Sequence, residues 1–182
     1  MNQCSGHTRL GPSPIAADTI LKCLKDERLQ KKLRMYGVTD NILEWIRAFL
    51  VGRRQKVRVN GAASSWQPVT SGIPQGSVLG PVLFVIFIND LPEVVNSFVE
   101  MFADDTKVFT PLEHEDSHGK LQQDLNSLTD WADSWQLRFN ASKCKTLHLG
   151  NNPEKTYMMD DGQGNKVELE KTKLEKDLGV NI

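Results

Sequence analysis

Phe98-Val99-Glu100-Met101-Phe102-Ala103-Asp104-Asp105-Thr106-Lys107-Val108-Phe109 is the stretch that decides the fold. Its flanks, residues 98–102 and 107–109, are rich in valine and phenylalanine and read as two strands. Ala103-Asp104-Asp105-Thr106 then forms the tip of a tight hairpin, aspartate being a favoured turn residue. Two adjacent carboxylates repel each other, so a half-buried turn that keeps both charged needs compensation. A divalent cation can supply it, since magnesium takes one or two carboxylates together with substrate phosphates. A solvated turn is the plainer reading of the pair.

Upstream lies Ser71-Gly72-Ile73-Pro74-Gln75-Gly76-Ser77-Val78-Leu79-Gly80-Pro81. Gly72 and Gly76 allow unusual backbone angles and close approach of a ligand to the backbone. Pro74 stiffens the loop, and Gln75 both donates and accepts hydrogen bonds. The helix expected over residues 82–89 is apolar nearly all round, which predicts burial. Pro81 suits its first turn, and Pro92 stops it. Downstream, Leu121, Leu125, Leu128, Trp131, Ala132 and Trp135 mark a long amphipathic helix after a polar, acidic loop at 111–119. From Trp135 to Phe139 the pattern switches to alternation, which predicts the start of a strand.

Residues 1–14, with Gly6, Gly11, Pro12 and Pro14, read as loosely held. Residues 15–36 read as one or two helices, capped by Ser13 or Asp18 and stopped by Gly37, with a largely basic outer face. Thr39 or Asp40 caps a helix over 41–51, where Ile42, Trp45, Ile46, Phe49 and Leu50 share one face and are expected in the core. Next comes Arg53-Arg54-Gln55-Lys56-Val57-Arg58-Val59-Asn60-Gly61, and Asn-Gly is a strong hairpin signal. Val57 and Val59 are expected on a packed face. Arg53, Arg54, Lys56 and Arg58 are candidate phosphate contacts, or equally the guards of an edge strand.

The totals bound the reading. A chain of 182 residues with 39% apolar and 25% charged content suits one globular domain. The three cysteines are scattered, as in a reducing compartment. Cys4 and His7 could supply two zinc ligands, but no second pair accompanies them. The apolar run at 82–88 is too short to cross a bilayer. Residues 1–11 are polar and do not read as a signal peptide, which predicts an intracellular protein of the nucleus or cytoplasm. The net charge of −1 leaves any nucleic-acid binding to local basic patches.

Taken together, these boxes resemble the reverse transcriptase domain of a non-long-terminal-repeat retrotransposon, jockey-like in type. Phe102-Ala103-Asp104-Asp105 is similar to that family's aromatic-x-Asp-Asp box, and residues 71–81 to its Gly-x-Pro-Gln-Gly box. The resemblance covers residues 33–182 and leaves 1–32 outside. It implies an α+β fold, with a palm-type antiparallel sheet packed on helices. It implies that Asp104 and Asp105 are catalytic and bind Mg2+ or Mn2+. Gly72, Pro74, Gln75, Gly76 and Phe102 would contact the nucleotide and template. Lys143, in Phe139-Asn140-Ala141-Ser142-Lys143-Cys144, would protonate the pyrophosphate leaving group. Leu178 and Gly179 would belong to the primer grip. The substrates implied are an RNA template, a DNA primer and deoxynucleoside triphosphates.

The chain departs from the family at one place that matters. An Asp-x-x-x-Ala-Phe-Asp box should supply a further metal ligand, because a two-metal site needs more than one carboxylate pair. Its place holds Ile15-Ala16-Ala17-Asp18-Thr19-Ile20-Leu21-Lys22-Cys23-Leu24, where Asp18 is the only aspartate near the right distance. Most of the fingers segments and the thumb have no counterpart either. The missing box is the palm's first strand, in mid-sheet, so the aspartate hairpin is expected to show an unpaired edge unless the N-terminal segment lends a strand. Two functions follow from the resemblance. One is an RNA-directed DNA polymerase domain with impaired two-metal nucleotidyl transfer. The other is a non-catalytic retrotransposon-derived remnant that binds nucleic acid or protein.

Overall fold

The computed structural model describes residues 5–10, 27–70, 76–103, 105–112, 116–137, 139–150, 154–161, 163–174, 176–177 and 180–181. The chain divides into two units, residues 15–88 and residues 1–14 with 89–182. Strand β1 (Ser5–Leu10) belongs to the second.

The first unit holds helices α1 (Arg28–Met35), α2 (Asp40–Leu50) and α3 (Leu79–Ile88). Leu29, Leu33, Leu43, Ile46, Leu50, Leu83 and Phe87 form its core. Lys32 is buried among them. Its ammonium donates to the Phe87 carbonyl and lies 5.4 Å from the centre of the Phe87 ring. Phe87 sits in the last turn of α3, where carbonyls lack intrahelical donors and the helix dipole favours a cation.

The two flanking helices depart from expectation in which side they bury. In α2 the buried line is Leu43, Ile46 and Leu50, whereas Ile42 and Trp45 are exposed and Trp45 stacks on Phe49 at 6.0 Å. The apolar stripe is wider than the neighbouring helices cover. In α3, Val82 and Val85 are exposed, so the helix is buried along one side only.

Between α2 and α3 runs a long hairpin. Strand β2 (Arg54–Gln55) pairs with β5 (Gln67–Pro68), and β3 (Arg58–Val59) with β4 (Ala62–Ala63). Asn60 and Gly61 both take positive φ, 49° and 84°, as a type I′ turn requires. Val57 and Val59 are exposed, which corrects the expected packed face. A two-stranded ribbon buries a face only when another layer covers it.

The second unit is built on a five-stranded sheet. Its strands are β6 (Phe98–Phe102), β7 (Asp105–Pro111), β8 (Lys145–His148), β11 (Glu170–Thr172) and β1, in the order β11-β8-β1-β7-β6. All pairings are antiparallel except β11 with β8. Helix α4 (Ser117–Ser134) packs on β7, with Leu121, Leu125, Leu128 and Trp131 buried as their spacing predicts. Thr106 and Val108 are the buried positions of β7, so Asp105 and Lys107 lie on its other face. Strand β9 (Met158–Asp160) pairs with β10 (Lys166–Glu168), and β12 (Lys176–Asp177) with β13 (Val180–Asn181). The Gln122 side chain both donates to and accepts from the backbone of Met158, each at 2.9 Å, and so pins β9 to α4. Tyr157 is fully buried between His118 and His148, ring centres 4.7 and 6.2 Å away, and burial raises its phenol pKa.

The N-terminal segment is not loosely held at residues 5–10. Strand β1 lies between β7 and β8, with Thr8 opposite Val108 on one side and Thr146 on the other. Both neighbours would otherwise present unpaired N–H and C=O groups, and the lent strand satisfies them. The stop expected at Gly37 is met, but Asp18 and the first half of the helix expected over 15–36 lie outside the described residues.

Among the described residues, the strand expected from Trp135 does not form. Helix α4 ends there instead: Leu137 N donates to the Ala132 carbonyl at 2.7 Å and Gln136 N to the Asp133 carbonyl at 3.0 Å, with Gln136 at φ 56°. This is a Schellman ending, which glycine fits best at the left-handed position. Gln136→Gly is therefore expected to raise stability by about 1 kcal/mol, seen as a higher urea midpoint. A lower midpoint would mean that contacts of the glutamine side chain outweigh its backbone strain.

The described structure is α+β. No helix among the described residues is long and apolar enough to cross a membrane.

Candidate metal and nucleic-acid site

The hairpin of β6 and β7 pairs Phe102 with Asp105, so the turn is shorter than expected and Asp105 is already the first strand residue. Ala103 takes φ 54°, the left-handed conformation a two-residue turn demands. Asp104 lies outside the described residues. Asp105 is half-buried, and Phe102 beside it is 64% exposed. The same face carries Glu100 opposite Lys107, then Phe98 opposite Phe109, whose rings stack at 5.4 Å. Asp105 thus has a cation two residues along its strand and aromatic surface around it.

Lys143 sits in a short helical turn, Ala141–Lys143, just before β8, and is exposed. β8 and β7 both run antiparallel to β1, with Arg9 opposite Lys145 on one side and Lys107 on the other. Lys143 and Asp105 each precede those lysines by two residues, so both fall at the same end of the sheet, with β1 between them. The β1 residues paired at that end are Arg9 and Leu10.

As to metal, Asp105 can serve as one ligand of a single magnesium that arrives with phosphates. Among the described residues no group of three or more His, Cys, Asp or Glu side chains could hold a metal ion. Cys4, of the suggested zinc pair, lies outside the described residues.

Gly76 takes φ 78°, which a side chain would strain, while Gly72, Pro74 and Gln75 lie outside the described residues. So do Leu178 and Gly179. Arg54, Lys56 and Arg58 are exposed on the hairpin of the first unit. Arg53 differs from them, since its Nε donates to the Leu50 carbonyl at 2.9 Å and caps α2.

Two positions escaped the sequence reading. Trp66 is half exposed beneath the Lys56 ammonium, 4.8 Å from its ring centre. Only the pairing of β2 with β5 brings the two together. Asp124 is buried in α4 and holds the backbone N–H groups of Asn96 and Ser97, each at 2.9 Å, at the entry to β6. Its signal was an acid lodged between Leu121, Leu125 and Leu128 in an apolar stripe.

The family model described as "Reverse transcriptase (RNA-dependent DNA polymerase)" matches residues 24–182. The chain is similar to the RNA-directed DNA polymerase from mobile element jockey of Drosophila melanogaster, 35% identical over 115 residues, 58% of this chain and 13% of that protein. The jockey polymerase of Drosophila funebris is 33% identical over 126 residues, 63% of this chain and 13% of that protein. The probable RNA-directed DNA polymerase from transposon X-element of Drosophila melanogaster is 35% identical over 109 residues, 56% of this chain and 12% of that protein. The chain thus spans about an eighth of the length of the curated relatives it matches. Strand β1 precedes the residues that the family model matches.

Proposed function

Because this chain belongs to the reverse transcriptase (RNA-dependent DNA polymerase) family, we propose that it is a palm-type domain that engages template and primer but does not by itself carry out nucleotidyl transfer. The observation that carries this reading is the identity of the strand beside the aspartate turn. The order β8-β1-β7-β6 supports placing β1 where a palm has the strand of its first aspartate box. That strand reads Ser5-Gly6-His7-Thr8-Arg9-Leu10 and contains no carboxylate. Asp104 and Asp105 then remain as ligands for Mg2+ or Mn2+ that comes with a deoxynucleoside triphosphate, and no step is assigned to a metal pair.

In this proposal Gly72, Pro74, Gln75, Gly76 and Phe102 contact nucleotide and template, Lys143 faces the leaving group, and Leu178 and Gly179 belong to the primer grip. The RNA template and DNA primer are partners of the same proposal. Loss of a carboxylate that anchors both metals removes several kcal/mol of transition-state stabilisation. At about 1.4 kcal/mol per tenfold, that is two or more orders of magnitude in rate.

The test is primer extension on an RNA template, with magnesium and then manganese, beside Asp105→Asn. The expected result is no extension above that of the variant. Extension by the unaltered protein that the variant lacks would overturn the proposal and make Asp18 the first candidate for the missing ligand.

A further inference from the structure

We propose that the hairpin of residues 53–69 is a binding surface for single-stranded nucleic acid, with the Trp66 indole as its base-stacking plate. The proposal deepens the nucleic-acid reading above but needs no catalysis and no metal.

From residue 45 to residue 89 the chain contains no aspartate or glutamate, yet it holds Arg47, Arg53, Arg54, Lys56 and Arg58. A protein of net charge −1 thus concentrates five cations in one acid-free stretch. Two of them have work within the fold: Arg47 lies 3.9 Å from Glu44, and Arg53 caps α2. Arg54, Lys56 and Arg58 alternate along the hairpin's first arm and are exposed. Such a row neutralises phosphates, and a polyanion is the ligand that gains most from it.

The aromatic is what narrows the ligand. Gln55 pairs with Gln67, so the next position inward sets Lys56 against Trp66. The ammonium 4.8 Å from the ring centre holds the indole by a cation–π contact. Half of Trp66 nevertheless stays exposed to water. An exposed indole beside a cationic row suits an unpaired base, which has a face to stack, and not a duplex, whose bases are already stacked.

Hydrogen bonds tie the two arms of the hairpin together. Val57 N donates to Ser64 Oγ and Ser64 N to the Val57 carbonyl, both at 2.9 Å, while Val69 N closes the base onto the Arg53 carbonyl at 2.9 Å. The inner ladder pairs Arg58 with Ala63 and the outer pairs Gln55 with Gln67. The second arm therefore has one extra residue at Ser64–Ser65, which acts as a bulge. Bulges turn the neighbouring side chain to a new direction, here Trp66.

The test uses the full chain in metal-free buffer with fluorescein-labelled oligo(dT), oligo(U) and a duplex, read by anisotropy across a salt series. Trp66→Ala is expected to weaken single-strand binding about tenfold with the salt slope unchanged. Trp66→Phe, which keeps a ring, should retain most of the affinity and so excludes a folding defect. A Lys56→Ala, Arg58→Ala double variant should flatten the log–log salt slope by roughly 1.4, about 0.7 for each lost phosphate contact.

Tight binding of either oligonucleotide, with the Trp66 effect, supports the proposal and shows whether RNA or DNA is preferred. Binding of neither, equal affinity of Trp66→Ala, equal binding of duplex, or displacement by polyglutamate as readily as by oligo(dT) overturns it. The binding assay contains neither metal nor nucleotide and primer extension needs both, so failure of the polymerase reading and failure of this one are separate results.

Discussion

Thr8→Pro is expected to lower the stability of the sheet-bearing unit by about 3 kcal/mol or more. Proline has no N–H to give a ladder and is excluded from central strands. Thr8 is at the middle of a central strand, opposite Val108 and Thr146, and both partners are fully buried. A ladder carbonyl that loses its donor there finds no water in exchange. Against the usual total of about 5–15 kcal/mol this is a large fraction, so the urea midpoint should fall sharply. Thr8→Val keeps a β-branched residue and the N–H, and should stay close to the unaltered protein. Deleting residues 1–14 goes further, since it opens the edges of β7 and β8 together and should produce aggregation. Hydrogen exchange gives an independent reading. The amides of β7 lie between two strands and should exchange only with global opening, whereas edge amides of β6 should exchange sooner. An unchanged midpoint in Thr8→Pro, with β7 still protected, would remove β1 from the sheet.

The second large effect is expected of Asp124→Ala, a loss of about 3 kcal/mol. Asp124 is 1% exposed, and a carboxylate that deep must have its oxygens satisfied. Oδ1 accepts from Asn96 N at 2.9 Å and Asn96 Nδ2 at 3.4 Å, and Oδ2 accepts from Ser97 N at 2.9 Å. Hydrogen bonds to a charged group contribute roughly 1.5–3 kcal/mol each and are not additive. Alanine would leave two backbone N–H groups stranded between α4 and the entry to β6. The Asp124→Asn variant keeps one acceptor oxygen, and its loss should be about half as great. The graded series, measured by urea unfolding, is the diagnostic. If alanine and asparagine behaved alike and both lay near the unaltered protein, the carboxylate would not be what anchors the start of β6.

Much of this protein is decided by local sequence. The valine- and phenylalanine-rich flanks of Asp104-Asp105 form the hairpin they promise, Asn60-Gly61 forms its turn, and Leu121 to Trp131 lie on the buried side of one helix. Each of these rests on a period or a turn chemistry that a few neighbouring residues carry by themselves. The family is legible for the same reason, because its boxes are contiguous. Other features arose only in three dimensions. Strand β1 reads as a polar, glycine-containing segment, and becomes a strand because β7 and β8 each need a partner across long separations in sequence. The buried side of α2 was set by what packs against it, and not by the full width of its apolar stripe. Gln136 ended a helix where alternation suggested a strand, because two backbone bonds to Ala132 and Asp133 won over a weak local pattern. Trp66 met Lys56 through strand register, and Asp124 met Asn96 and Ser97 through the packing of α4. Elements are written in short-range patterns, whereas partners across a sheet or between layers are chosen by which distant groups can satisfy one another once water is gone.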